Sequence, residues 1–252
     1  MENSKLTRVI ALVLSVMMVA GLFMTAGAAN LTTSAAPDED EMSVANEALE
    51  ILGDDKWSEY KEKFGSQPNY TGDDIVINAA NAIALPEGAQ VLAELDGKTN
   101  VLYLPSEGGA TWTVTVPETG LYAIDLSYYA ISELNGEKVS KAADIERTLR
   151  INGEVPFTEV RNLLMTKTWI DAFSDDQIVY DQDGNIEDIL YDEDSVGNHR
   201  RPAKVEAPEW RKYTVCDPTG YYNGEFFFYL EAGENTITLE AQKEPVALES
   251  IT

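Results

Sequence analysis

The sequence predicts an antiparallel β-sandwich carrying a short helical N-terminal extension. The first observation is the run Trp112–Tyr128, in which Trp112, Val114 and Val116 alternate with Thr111, Thr113 and Thr115. After Gly120, the residues Tyr122, Ile124, Leu126 and Tyr128 resume the apolar register. The second is Phe226–Leu239, where Phe226, Phe228 and Leu230 precede a Gly-containing turn and Ile237 and Leu239 follow it. Strict period-two alternation around a turn marks strands with one buried face, so each run is read as a hairpin. The third is the spacing of the remaining short apolar runs, which are separated by turn residues from residue 70 to the last residue. Ten or more short strands call for a sandwich rather than a helical or α/β fold.

From the N-terminus, Lys5 and Arg8 precede an apolar stretch from Val9 to Phe23, and Ala26-Gly27-Ala28 offers a small-x-small cleavage site. This is the pattern of a secretory signal peptide over residues 1–28, and it predicts an extracellular or cell-surface protein. Residues 29–42, ending in Asp38-Glu39-Asp40-Glu41, read as an acidic, disordered leader. A helical segment follows over 43–66. Ser43 caps a first helix with Val44, Ala48, Leu49 and Leu52 on one face, and Gly53 stops it. A second helix opens at Asp54-Asp55, carries Trp57, Tyr60 and Phe64 at helical spacing, and ends at Gly65. That aromatic stripe is read as a docking face.

The sandwich domain occupies 70–252. Its expected strands include Ile75–Ile77, Ala89–Glu94, Asn100–Leu104, Thr111–Val116, Leu121–Ala130 and Ile145–Ile151, the last closed by the turn pair Asn152-Gly153. Segments 177–180 and 186–191 flank Asp181-Gln182-Asp183-Gly184-Asn185 as a projecting hairpin. A strand region from Tyr213, the second hairpin and Val246–Ile251 complete the set. Because the chain stops within an alternating strand, a fragment or the first module of a longer protein is expected.

Composition narrows the function. The chain of 252 residues has 18 basic and 44 acidic residues, a formal net charge of -26. Such a surface repels phosphate backbones and anionic lipid, so no nucleic-acid partner is expected. Neutral ligands such as sugars, or divalent cations, suit it. One cysteine and one histidine leave no internal disulfide, no Cys–His nucleophile and no His-rich zinc site. His199 reads as a solvated loop residue.

Three stretches resemble galactose-binding-like β-jelly rolls, the fold of many carbohydrate-binding modules. They are Val116-Pro117-Glu118-x-Gly120-x-Tyr122, Arg147-x-Leu149-x-Ile151-Asn152-Gly153, and Leu230-x-Ala232-Gly233-x-Asn235-Thr236-Ile237-x-Leu239. More narrowly, the chain is similar to the N-terminal module of large extracellular solute-binding proteins of sugar ABC transporters in Gram-positive bacteria. That similarity lies in Arg150–Phe157, Arg201-Pro202, Ala207–Trp210, Gly220–Tyr222, Phe226–Tyr229 and Glu244-Pro245. The resemblance implies a secreted, non-catalytic module with a carbohydrate as partner, alongside a following solute-binding domain and an ABC permease. In calcium-containing members of such jelly rolls, a Glu ending the first strand joins backbone carbonyls and a carboxylate on the last strand around one structural Ca²⁺. Here Glu94 and Glu249 occupy those positions.

The residues themselves suggest a ligand surface. Aromatic faces stack on pyranose rings, and planar polar groups fork onto hydroxyl pairs. Tyr129, Trp169, Trp210, Tyr221 and Tyr222 are the aromatics read as loop-borne, with Asn223 as a polar neighbour. Arg147 shares a face with Ile145, Leu149 and Ile151. An arginine so placed either pairs with a carboxylate or lines a concave surface. The insert from Thr166 to Glu209, holding Asn198, Arg200 and Arg201, is long for a loop and is where specificity would be placed. Two rival readings stay open. One is a glycoside hydrolase or lyase with two facing carboxylates, although no spacing selects a pair. The other is a structural interaction module with no sugar ligand.

Overall fold

The computed structural model describes residues 55–252. The signal-peptide, leader and first-helix readings lie outside the described residues. So does the start of the second helix, which is described from Trp57 to Phe64 as α1.

Eighteen strands follow among the described residues. β1 (Ile77–Asn78), β2 (Gln90–Leu95), β3 (Lys98–Leu104), β4 (Gly109–Val116), β5 (Gly120–Tyr122) and β6 (Asp125–Tyr129) form the first half. After the small pair β7 (Glu133–Leu134) and β8 (Glu137–Lys138) come β9 (Ile145–Ile151) and β10 (Leu163–Met165). The insert contributes β11 (Trp169–Ala172), β12 (Ile178–Tyr180), β13 (Ile186–Ile189) and β14 (Ala203–Glu206). β15 (Trp210–Thr214), β16 (Phe228–Leu230), β17 (Gly233–Lys243) and β18 (Val246–Ile251) close the fold.

Two antiparallel sheets dominate. One runs β15-β6-β18-β3-β2 with β1 also on β18, and the other runs β10-β9-β17-β4. Their inner faces share one apolar core. Leu102, Leu126, Tyr128 and Leu248 come from the first sheet, and Trp112, Leu149, Leu163, Ile237 and Leu239 from the second. The all-β sandwich and its short helix are therefore as the alternation predicts. Each inward residue is fixed by the two-residue strand period, since a slip of one would turn the whole set to solvent.

The pairing departs from the two expected hairpins. β4 does not pair with β5 or β6. It pairs with β17, placing Trp112 opposite Ile237, while β5 pairs with β16. The two alternating runs thus bond to each other across the chain. The expected strand Leu121–Ala130 is broken at Ala123-Ile124, where the chain leaves the β16 partner and joins the other sheet as β6. Alternation reports which face is buried and is silent about the partner, so the corner was invisible to it. The Asn152-Gly153 turn is present, with both residues at positive φ (53° and 85°) and Ile151 and Glu154 exchanging backbone bonds. This is the two-residue geometry that the pair favours.

Helix α1 docks by its aromatic stripe. Trp57 lies 4.9 Å from Phe157 and 4.8 Å from Phe226 between ring centroids, and Phe64 stacks on Tyr229 at 4.7 Å. Two polar contacts fix its position. The Trp57 amide donates to Glu159 Oε2 at 2.9 Å, placing a carboxylate at the helix N-terminus. The Tyr229 amide donates to Tyr60 Oη at 2.8 Å. The indole of Trp112, fully buried, is satisfied by donating to Ala79 O at 2.8 Å.

Candidate functional site

The seven residues expected to bind ligand fall in four places. Tyr129 and Trp210 are together but are not loop-borne. They are ladder partners on β6 and β15, with ring centroids 5.3 Å apart. They cover a small second core on the outer face of the first sheet, formed by Val101, Tyr103, Ile131 and Ala247. The Trp210 indole donates to the carbonyls of Leu95 and Asp96, and Lys98 Nζ sits 4.5 Å over its ring. With its surface shared between Tyr129 and Lys98, Trp210 works as a lid on that core.

Arg147 is the clearest correction. It is 1% exposed, and its guanidinium contacts are to backbone carbonyls. Nη1 donates to Glu146 O and Lys243 O, and Nη2 to Glu244 O, each at 2.8 Å, with Pro105 O at 3.4 Å. Burial draws the group down to about 10, against the opposing pull of Glu244 and Tyr103, so it stays charged at neutral pH. It ties the β17–β18 turn to β9 and reaches no rim where a sugar could sit. Of the two alternatives open from sequence, neither a direct carboxylate bridge nor a concave lining is realised. Carbonyl oxygens took the place of the carboxylate.

Next to Arg147 lies a charge network that the sequence reading missed. Lys167 Nζ contacts Glu244 Oε2 at 2.7 Å, and both side chains are 1% exposed. The same ammonium reaches Lys141 O at 3.0 Å and Glu206 Oε2 at 3.4 Å, while Ser140 Oγ donates to Glu206 Oε1 at 2.9 Å. Lys167 enters the insert and Glu206 leaves it, so one buried cation holds both stems. The only sequence signal was Lys243-Glu244-Pro245 at a turn, which says nothing of burial.

Of the two carboxylates in the calcium reading, one is already engaged by a cation. Glu94 is exposed on β2 opposite Thr99. Glu249 is already paired with the Lys98 ammonium and accepts from Ser127 Oγ at 2.7 Å. Burial pushes the Glu249 carboxyl up, but Lys98 and Ser127 outweigh it and hold it below the usual range. Calcium takes six to eight oxygens; no group of three or more His, Cys, Asp or Glu residues that could hold a metal is found among the described residues, so a site at Glu94 and Glu249 would depend on backbone carbonyls. The Asp181 loop is a turn, as read from Asp-Gly. Asp181 Oδ1 accepts the amides of Asp183 and Asn185 at 2.9 and 2.8 Å, so its oxygens serve its own loop.

Tyr221, Tyr222 and Asn223 remain, and they are presented differently. They lie in the loop between β15 and β16, bounded by the bridge Cys216–Glu225. Asp217, itself buried, clamps that loop. Its Oδ1 accepts the Thr219 amide and hydroxyl at 2.9 and 2.8 Å, and its Oδ2 accepts the Tyr222 amide at 2.8 Å. Burial raises the carboxyl, and the bonds from Tyr222, Thr219 and Tyr221 more than offset it, leaving the group below its ordinary value. Tyr222 packs against Phe226 at 6.5 Å and carries Tyr221 edge-on at 4.8 Å. Tyr221 is 80% exposed, and Asn223 is exposed beside it. The result is an aromatic ring held out from a fixed loop that is keyed into the core. Asp217-Pro218-Thr219-Gly220 carries the turn chemistry that could have located the clamp from sequence.

Trp169 stands apart on β11 of the insert, 37% exposed and opposite Glu206. His199 is exposed, as expected, and stacks on Tyr191 at 5.3 Å.

No protein-family model matches the chain, and no curated protein matches it. Solved structures do show distant similarity to it. A family 35 carbohydrate binding module from an environmental isolate is 10% identical, with 70% of this chain and 90% of that one covered and a TM-score of 0.35. The native family 35 module from Clostridium thermocellum is 16% identical, with 71% and 96% covered and a TM-score of 0.33. The Podospora anserina GH26-CBM35 β-(1,4)-mannanase is 15% identical at a TM-score of 0.36. There the match takes in 70% of this chain and about a quarter (26%) of the enzyme. The sandwich itself is established by the strand pairing described above.

Proposed function

We propose that this chain is an exported, non-catalytic carbohydrate-binding module that captures a neutral glycan on the Tyr221 loop. The observation that carries the reading is the exposed Tyr221 ring on a loop clamped by Asp217. A ring fixed before the ligand arrives loses little freedom on binding, and its apolar face complements the axial C–H face of a pyranose. Asn223 adds an amide that can both donate and accept toward hydroxyls. Asp217 is committed to its own loop amides, so its carboxylate holds the loop, and the site is read as one of stacking and hydrogen bonding. The strongly acidic surface favours a neutral polysaccharide over an anionic one.

The resemblance in Gly220–Tyr222, Phe226–Tyr229 and Glu244-Pro245 supports a finer reading. On it, the module accompanies an extracellular solute-binding domain that feeds a sugar ABC permease. The Lys5/Arg8 n-region and the small-x-small site at residues 26–28 support export.

Affinity electrophoresis through gels containing mannan, galactan, xylan, β-glucan or starch tests the binding. At least one polysaccharide retards the wild type, and Y221A removes that retardation. Truncating a central aromatic contact costs about 2 kcal/mol or more, roughly 30-fold in affinity. Migration unaffected by every polysaccharide, or retardation indifferent to Y221A, overturns the proposal.

A further inference from the structure

The insert between Lys167 and Trp210 is built unlike the rest of the molecule. None of residues 168–209 is buried. Eight of the thirteen large hydrophobic residues that the described chain exposes lie in this stretch. Its strands form two isolated ribbons, β11 with β14 and β12 with β13.

Each ribbon has an apolar face. In the first, Ile170 is opposite Val205 and Ala172 opposite Ala203, which puts these four side chains on one side. The other side carries Asp171 and Lys204, ion-paired at 2.6 Å. In the second ribbon Ile178 faces Ile189, and Tyr180 faces Ile186. Ile170, Val205, Tyr180 and Ile186 are all at least 43% exposed. A two-stranded ribbon gains stability only when an apolar face is covered, and clustered exposed hydrophobics mark an interaction surface. The network at Lys167, Glu244 and Glu206 bolts both stems to the sandwich, so the arm is held out from a firm root.

Charge identifies the occupant. Residues 168–209 contain twelve acidic side chains against three basic ones, Arg200, Arg201 and Lys204. A second copy would bring two such arms into repulsion, and anionic wall polymers would be repelled as well. We propose that the arm is a docking element for a protein surface whose apolar strip is bordered by lysine or arginine, and that it acts independently of the glycan loop. Apolar contact with the ribbon faces supplies the adhesion, and the acidic rim selects the partner and speeds encounter.

The test uses the full chain and a twelve-residue peptide of alternating Lys and Val, which presents one cationic and one apolar face as a strand. A Glu-Val peptide of equal length is the control. The Lys-Val peptide is expected to bind, with affinity falling at least tenfold between 50 and 500 mM NaCl, and to slow hydrogen exchange in β11 and β14. I170D/V205D weakens binding at least tenfold, and D183N/E187Q/D192N/E193Q flattens the salt dependence. Both variants keep the thermal midpoint and polysaccharide retardation of the wild type, which separates this surface from the Tyr221 site. No Lys-Val binding, equal binding of Glu-Val, or indifference to I170D/V205D overturns the proposal. So does self-association of the wild-type chain in sedimentation that I170D/V205D abolishes, because the occupant would then be a second copy.

Discussion

Replacing Lys167 by Met removes the one ammonium that the network shares between Glu244 and Glu206. Lys167 and Glu244 are each 1% exposed, so the carboxylate left behind has no water to solvate it. Its remaining neighbours are the Lys141 amide, which donates to Oε2 at 2.8 Å, and the buried Arg147 guanidinium, which acts on it through charge. Breaking one side of a buried pair costs about 3–5 kcal/mol, much of it from the charge left behind. At about 2–4 °C per kcal/mol for a domain of this size, the midpoint should fall by roughly 6–20 °C. The double variant K167M/E244Q, which removes both charges, should recover a large part of that loss, because an apolar or neutral replacement of a buried pair is often tolerated. Urea unfolding of wild type, both single variants and the double variant gives the coupling directly. A K167M cost below about 1 kcal/mol, or strict additivity in the cycle, would show that this pair is neither dry nor mutually dependent.

Three further outcomes follow from the packing. W57A should lose about 3–5 kcal/mol, since the indole fills the space between Phe157 and Phe226; denaturant titration reads this, and a cost near zero would mean the helix is not docked. R147K should destabilise by about 2–4 kcal/mol, because an ammonium cannot reproduce the fork that reaches four carbonyls at once; the same titration checks it. Asp217 has a depressed folded pKa. Its contribution is therefore fully present above the unfolded carboxylate value of about 3.9 and disappears as pH falls through the lower folded value. Protection of the Tyr222 amide from hydrogen exchange should drop across that acid window in the wild type, and D217N should show low protection at every pH.

The fold was more legible than the site, for a physical reason. Burial of one face imposes period two on Trp112–Val116 and on Ile237–Leu239, so strands and their inward residues could be named from the sequence. Partner choice leaves no such trace. The crossing of the chain between β5 and β6 therefore went unseen, as did the pairing of β4 with β17. The helix stripe of Trp57, Tyr60 and Phe64 was correctly read as a docking face because its spacing follows the 3.6-residue turn. Site residues fared unevenly, because composition reveals an aromatic without revealing what covers it. Tyr129 and Trp210 turned out to roof a second small core, whereas Tyr221 kept its ring in solvent. Arg147 was placed on the core face by alternation, but carbonyl acceptors carry no sequence signature, so its true partners could not be anticipated.

The glycan reading can be examined atom by atom. Aromatic ¹H–¹³C NMR, run during titration with an oligosaccharide cut from whichever polysaccharide retards the protein, reports each ring separately. Tyr221 ring signals are expected to move with saturation while those of Tyr129 and Trp210 stay in place. Saturable shifts confined to the Tyr129–Trp210 pair, with Tyr221 unmoved, would contradict glycan capture on the Tyr221 loop.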